Sequence, residues 1–96
     1  MIVVAVILTF HESTCVSMIE ASNRVAEITR TEAGCISYEF FADINQPGRM
    51  LLFEEWESRD ALDAHLASPH LAEFRAFLAD ADVTRDLRRY EVTDEF

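Results

Sequence analysis

The element order of this chain predicts an α+β domain of the ferredoxin-like βαββαβ type, an antiparallel sheet with helices on one face. Three observations carry that reading. The runs Ile2–Leu8 and Met50–Phe53 are apolar at every position. A half-buried strand alternates apolar with polar, so each run reads as a strand covered on both faces. Helical spacing dominates after His11 and again after Ser58. In the split βαβ order the first and third strands are central, and these are the two fully apolar runs. With 96 residues, one chain covers only one face of its sheet. The expected cover of the second face is another copy of the chain, in a homodimer whose sheets face each other.

The first strand spans about 2–10. His11–Thr14 is a polar turn, with Ser13 as the expected cap of a long helix running to about Glu32. Ser17, Glu20, Arg24, Glu27 and Thr31 make its polar stripe, with Glu20 and Arg24 at a favourable i,i+4 spacing. Cys15, Met18, Ile19, Val25, Ala26 and Ile28 are expected on the sheet. Gly34 stops the helix. Residues 35–43 form a second strand, Asn45-Gln46-Pro47-Gly48 a turn, and residues 49–57 a third strand, so the two make a hairpin. Ser58 caps a short helix over 59–67. Ser68-Pro69 restarts a helix, with Ser at the cap and Pro in the first turn. The last strand, 84–92, mixes Leu87, Tyr90 and Val92 with Arg85, Arg88 and Arg89.

Composition narrows the function. A net charge of −10 opposes binding to nucleic acid or to anionic membranes, which needs a basic footprint. No apolar run approaches a membrane span, and the apolar start reads as a strand rather than a signal peptide. Cys15 and Cys35 fit no metal spacing and read as buried thiols in a reducing cytoplasm. There is no lysine, which removes Schiff-base chemistry and a P-loop. Two glycines cannot build a dinucleotide fingerprint. The whole chain, 1–96, reads as a single domain without linker or repeat.

The strands also sort the polar side chains. Ile36, Tyr38 and Phe40 are expected on one face of the second strand, with Cys35, Ser37, Glu39 and Phe41 on the other. Met50, Leu52, Glu54 and Trp56 share a face of the third. His65 lies on the side of its helix that carries Ala61, Leu62 and Leu66, the side expected to meet the sheet.

Here the chain resembles a family. The segment from Glu32 through Gly34 and Cys35 to Tyr38 is similar to the E-x-G-C-x-x-Y segment of antibiotic biosynthesis monooxygenase (ABM) domains. Phe53-Glu54-Glu55-Trp56 resembles their E-x-W strand. The stretch from Ala61 and Leu62 through His65, Ser68 and His70 to Phe74 resembles the helix that follows. The resemblance covers nearly the whole chain. It implies a dimeric α+β barrel with a ligand cleft between sheet and helices in each subunit. It also implies one of several chemistries: oxidation of phenols or quinols without metal, flavin or haem; haem degradation; or isomerisation of a phosphorylated sugar derivative.

The favoured expectation is a cofactor-independent monooxygenase of a small aromatic quinol or phenol, using molecular oxygen and no metal. A phenol bound as its anion can itself supply an electron to oxygen. His65 is the expected base, since an imidazole titrates near neutrality. Trp56 and Tyr38 would stack on or hydrogen-bond the ring, and Glu54 would orient a histidine or a substrate hydroxyl. Plainer roles stand beside these: Trp56 as core, Tyr38 as a packed ring, Glu54 paired with Arg49 or Arg89, His65 as a satisfied helix histidine. His70 reads as a capping or surface residue, and His11 as exposed. Haem is disfavoured, because the first strand lacks the asparagine expected of haem-degrading members. An isomerase of a small hydroxy-carbonyl compound, or a non-catalytic small-molecule-binding or stress protein, are the alternatives.

Overall fold

The computed structural model describes residues 1–96. The strands are β1 (Ile2–Thr9), β2 (Cys35–Ala42), β3 (Arg49–Trp56) and β4 (Thr84–Glu91), in one antiparallel sheet of order β2-β3-β1-β4. The helices are α1 (Cys15–Thr29), α2 (Arg59–Leu66) and α3 (Pro69–Asp80). The two fully apolar runs are therefore the two central strands, as their composition requires. The architecture is the expected α+β ferredoxin-like one.

Each central strand buries one face under the helices. Ile2, Val4, Val6 and Leu8 of β1, and Met50, Leu52, Glu54 and Trp56 of β3, are all buried. Val3, Ala5 and Ile7, with Leu51 and Phe53 opposite Ile7 and Ala5, line the far face and stay half-buried, since no helix lies over them. Under the helices the core closes with Met18, Ala21, Val25 and Ala26 of α1, Leu62 of α2, and Leu71, Phe74 and Leu78 of α3. The last two helices are capped as their sequence demands. Ser58 accepts from the Ala61 N–H at 3.1 Å, and Ser68 from the Leu71 N–H at 3.3 Å.

Four local expectations are corrected. The first helix starts at Cys15 with Thr14, not Ser13, at its N-cap position and no side-chain cap, and His11 instead caps the preceding 3-10 turn over Glu12–Thr14, its Nδ1 accepting from the Ser13 N–H at 3.1 Å. The helix also ends at Thr29 rather than near Glu32, and a tight turn over Thr31–Gly34 leads into β2. Ile19 and Ile28 are about half exposed, while Ser22 and Thr29 are buried. The buried face of α1 is thus centred on Ser22 and Ala26, so apolarity alone misplaced its edges. Finally, the β2–β3 register slips between Cys35 and Ser37. Ile36 bulges out, half exposed, and Cys35 moves onto the helix face opposite Trp56. Strict alternation could not place that extra residue.

β4 is exposed at every position. It is an edge strand that no helix covers, which accounts for its mixed composition.

Candidate active site

The four residues singled out from the sequence converge under α2. Tyr38 and Trp56 are fully buried, His65 is 1% exposed and Glu54 5%. Register explains the convergence. Tyr38 pairs with Glu54 across β2 and β3, and Trp56 lies two residues along on the same face. α2 begins directly after β3 and folds back, carrying His65 over them. The His65 ring lies 4.8 Å from the Trp56 ring at a 33° tilt, and 5.3 Å from the Tyr38 ring in an edge arrangement at 63°. Glu54 does not pair with an arginine as its first contact. Its Oε1 accepts from Trp56 Nε1–H at 3.0 Å.

Two further residues join them. Glu32, on the turn after α1, brings Oε2 to 2.7 Å from His65 Nδ1, and the same oxygen lies 3.0 Å from His70 Nε2. Gly34 makes this approach feasible. It has φ +82°, and a Cβ there would sit 2.5 Å from the Ala61 Cβ, so any side chain would push α2 away from the turn. The Gly34 carbonyl also accepts from the Glu57 N–H at 2.8 Å, tying the turn to the end of β3. His70, expected at the surface, is mostly covered by this contact. Glu32 carried no role in the sequence reading, and His70 only that of a capping or surface residue. The signal for them was their presence in the resembling segments, at fixed spacing from Tyr38 and His65.

Chemistry follows from these bonds. A carboxylate only accepts, so His65 carries its proton on Nδ1 and His70 on Nε2. That leaves the His65 Nε2 lone pair free of any protein partner. Burial lowers the His65 pKa, although the Glu32 contact pulls it back up, so the ring is neutral near pH 7. Burial raises Glu54 to about 7, against the pull of the Trp56 bond and the charges of Arg89 and Arg75. Burial also pushes the Tyr38 phenol up, so it stays protonated, and its buried hydroxyl has no hydrogen-bond partner. A base, a protonated phenol and a half-ionised acid thus face one space. Burial likewise pushes the Cys35 thiol up to about 11, which makes it a poor nucleophile. Neither cysteine is in a disulfide.

Glu32, His65 and His70 also place three ligating atoms within 4.8 Å of one another, a grouping that sequence spacing did not reveal. Their 2.7 and 3.0 Å separations are those of hydrogen bonds. Four-coordinate zinc needs ligand atoms about 3.3 Å apart, so a metal would have to spread the cluster and displace both protons.

The space itself is a slot between the sheet, α2, α3 and β4. It is narrow, with a cavity volume of about 40 Å³. Eleven of its sixteen lining residues are hydrophobic, Tyr38 among them, and Glu54 and His65 belong to the polar remainder of the wall. A second, larger and more open cavity, about 220 Å³, lies between α1 and α3 and touches only His70 of the cluster. The Glu32 contacts therefore run from the slot toward that groove.

Comparison with known proteins gives the same fold. A family model described as antibiotic biosynthesis monooxygenase matches residues 1–76. A proposed antibiotic biosynthesis monooxygenase of Deinococcus radiodurans superposes with a TM-score of 0.95 at 27% identity, covering 100% of this chain and 96% of that one. Rv0793 of Mycobacterium tuberculosis, a proposed monooxygenase, is 46% identical over 48 residues, which is 50% of this chain and 46% of Rv0793. Its solved structure superposes with a TM-score of 0.85 at 26% identity over 99% of this chain and 98% of that one. An uncharacterised Synechocystis protein, sll1783, is 43% identical over 56 residues, 58% of this chain. The matched segments span 38% and 46% of the sll1783 and Rv0793 sequences. No helix is long and apolar enough to cross a membrane.

Proposed function

The chain belongs to the antibiotic biosynthesis monooxygenase family, and on that premise we propose that it is a cofactor-independent monooxygenase of a small aromatic quinol or phenol. The observation that carries the proposal is the buried His65, whose Nδ1 is held by Glu32 and whose Nε2 is free at an apolar, aromatic-lined slot. His65 Nε2 takes the phenolic proton. Tyr38 donates its unpartnered hydroxyl to the resulting oxyanion, Trp56 backs the imidazole, and Glu54 anchors the indole. The electron-rich anion then reacts with oxygen itself. A quinol with an open ring position and O₂ give a hydroxyquinone and water: one oxygen atom enters the ring and the other leaves as water. The dry slot protects the charged intermediate from competing protonation.

The working unit is a homodimer of single-domain subunits, 1–96, joined through the far face of the sheet. Val3, Ala5, Ile7, Leu51 and Phe53 support this, because they form an apolar stripe that no helix of the same chain covers. The unpaired cysteines fit a cytoplasmic setting.

The test is oxygen uptake by metal-stripped protein with reduced naphthoquinols, wild type beside His65→Ala, each against an enzyme-free autoxidation control. Protein-dependent uptake that yields a hydroxyquinone carrying one atom from ¹⁸O₂, and that falls with His65→Ala, supports the proposal. Uptake that yields only quinone and hydrogen peroxide, or none above the control, overturns it. The reading would then pass to an isomerase of a small hydroxy-carbonyl compound or to a non-catalytic binding protein.

A further inference from the structure

The chain has eight basic residues, all arginine, against eighteen acidic ones. Four arginines are spent on ion pairs: Arg30 with Glu39, Arg49 with Asp43, Arg59 with Glu91 and Arg88 with Asp86. Of the four that remain, Arg24, Arg75, Arg85 and Arg89, the last three line the slot. The only acid on that lining is Glu54. Three like charges around one opening repel one another, and in a chain with ten excess negative charges there is no shortage of acids to pair them. Leaving them unpaired at one place is a local conflict that stability does not explain.

Their positions are ordered. Arg85 and Arg89 flank Leu87 on β4, opposite Leu8 and Val4 of β1, on the sheet face that the slot occupies. Arg75 stands across from them on α3. All three are exposed, whereas Tyr38, Glu54 and His65 are buried. The slot therefore has a neutral, acid–base inner end and a cationic mouth. Arg75 is close enough to act electrostatically on Tyr38, Glu54 and His65 alike.

We infer that the ligand of this slot is an aromatic compound bearing an anionic substituent, a carboxylate or phosphate, held by Arg75, Arg85 and Arg89 at the mouth while its ring lies inside. Guanidinium groups match both anions through paired, charge-assisted hydrogen bonds. The inference rests on the proposed aromatic site, and it narrows the substrate to an acidic quinol or phenol.

Binding tests it without requiring turnover. Trp56 is the only tryptophan and lies against His65, so its fluorescence reports occupancy of the inner end. The probes are 2-naphthoate, 2-naphthyl phosphate and the uncharged isostere naphthalene-2-carboxamide. An anion should bind at least tenfold tighter than the amide. Which anion gains more identifies the group. The advantage should shrink toward unity in Arg75→Gln/Arg89→Gln and at high salt, with the amide still bound and the melting temperature not lowered. Equal binding of acid and amide overturns the inference and leaves the aromatic site standing. An anion advantage that survives the double substitution overturns the arginine assignment. No binding of any probe removes both. Tight anion binding without oxygen uptake on an acidic naphthoquinol, 1,4-dihydroxy-2-naphthoate, upholds the inference and sinks the monooxygenase reading alone.

Discussion

Glu32 Oε2 lies 2.7 Å from His65 Nδ1, although 33 residues separate them in the chain. The contact sets which imidazole nitrogen is protonated and leaves the other as the acceptor. Glu32 is thus a positioning residue for the proposed base.

Glu32→Ala should lower the rate of oxygen uptake by about 10-fold or more, the usual cost of losing the partner that orients a functional histidine. A structural role would not move the pH profile, but this substitution should. Glu32 holds the His65 pKa up against burial, so its loss lowers that pKa. The neutral imidazole is the base, hence the acid limb of the rate profile should shift to lower pH. An unshifted limb would remove Glu32 from the mechanism.

Tyr38→Phe should leave the melting temperature unchanged or raise it, since the buried hydroxyl lacks a partner and such a group costs about 1 kcal/mol or more. Oxygen uptake should meanwhile weaken, mainly through a higher KM. A clear loss of stability would mean that the hydroxyl serves the fold instead.

Glu54 gives a pH signature. Its folded pKa of about 7 lies above the ordinary 4.5, so between these values the folded state binds more protons than the unfolded one. The group therefore costs nothing below about pH 4.5, and its penalty grows until pH passes about 7. Glu54→Gln keeps the acceptor for Trp56 and removes the charge. It should raise stability at pH 8 by about 3 kcal/mol, several degrees in melting temperature, and by almost nothing at pH 4.5. His65 contributes with the opposite sign, because its folded pKa is lowered: stability is lost as pH falls below the ordinary 6.5. Thermal melts of both proteins across pH 4.5–8 separate the two, since only the Glu54 contribution disappears in the variant.

Phe53→Glu places a charge on the far face of the sheet, away from the slot. Sedimentation should give a dimer for the wild type and a monomer for the variant, with the same circular dichroism. A well-folded wild-type monomer at micromolar concentration would end the dimer proposal.

Much of the fold was legible because strong local signals agreed with global needs. The two unalternating strands are the central ones, and the caps at Ser58 and Ser68 start helices where expected. His65 was readable as facing the sheet because its neighbours Leu62 and Leu66 are apolar at helical spacing. Glu32 was not readable in the same way. Its place depends on α1 ending at Thr29 and on a turn that folds back against Ala61, and neither leaves a periodic trace. The grouping of Arg75 with Arg85 and Arg89 depends on α3 facing β4 across the slot, a tertiary relation between segments whose own patterns say only that they are partly polar.

Every residue of β4 is exposed, yet the strand supplies one wall of the slot. It also lies beyond residue 76, where the family match stops. Substitutions at Arg85, Leu87 or Arg89 would remove few core contacts, so they would alter what the slot admits at little cost in stability. A change at Trp56 or Tyr38 would strike the core and the proposed chemistry together. The proposed recognition surface and the proposed reactive centre are thereby separable in evolution. A laboratory search for new substrates would therefore do well to randomise this one strand and leave the rest of the chain untouched.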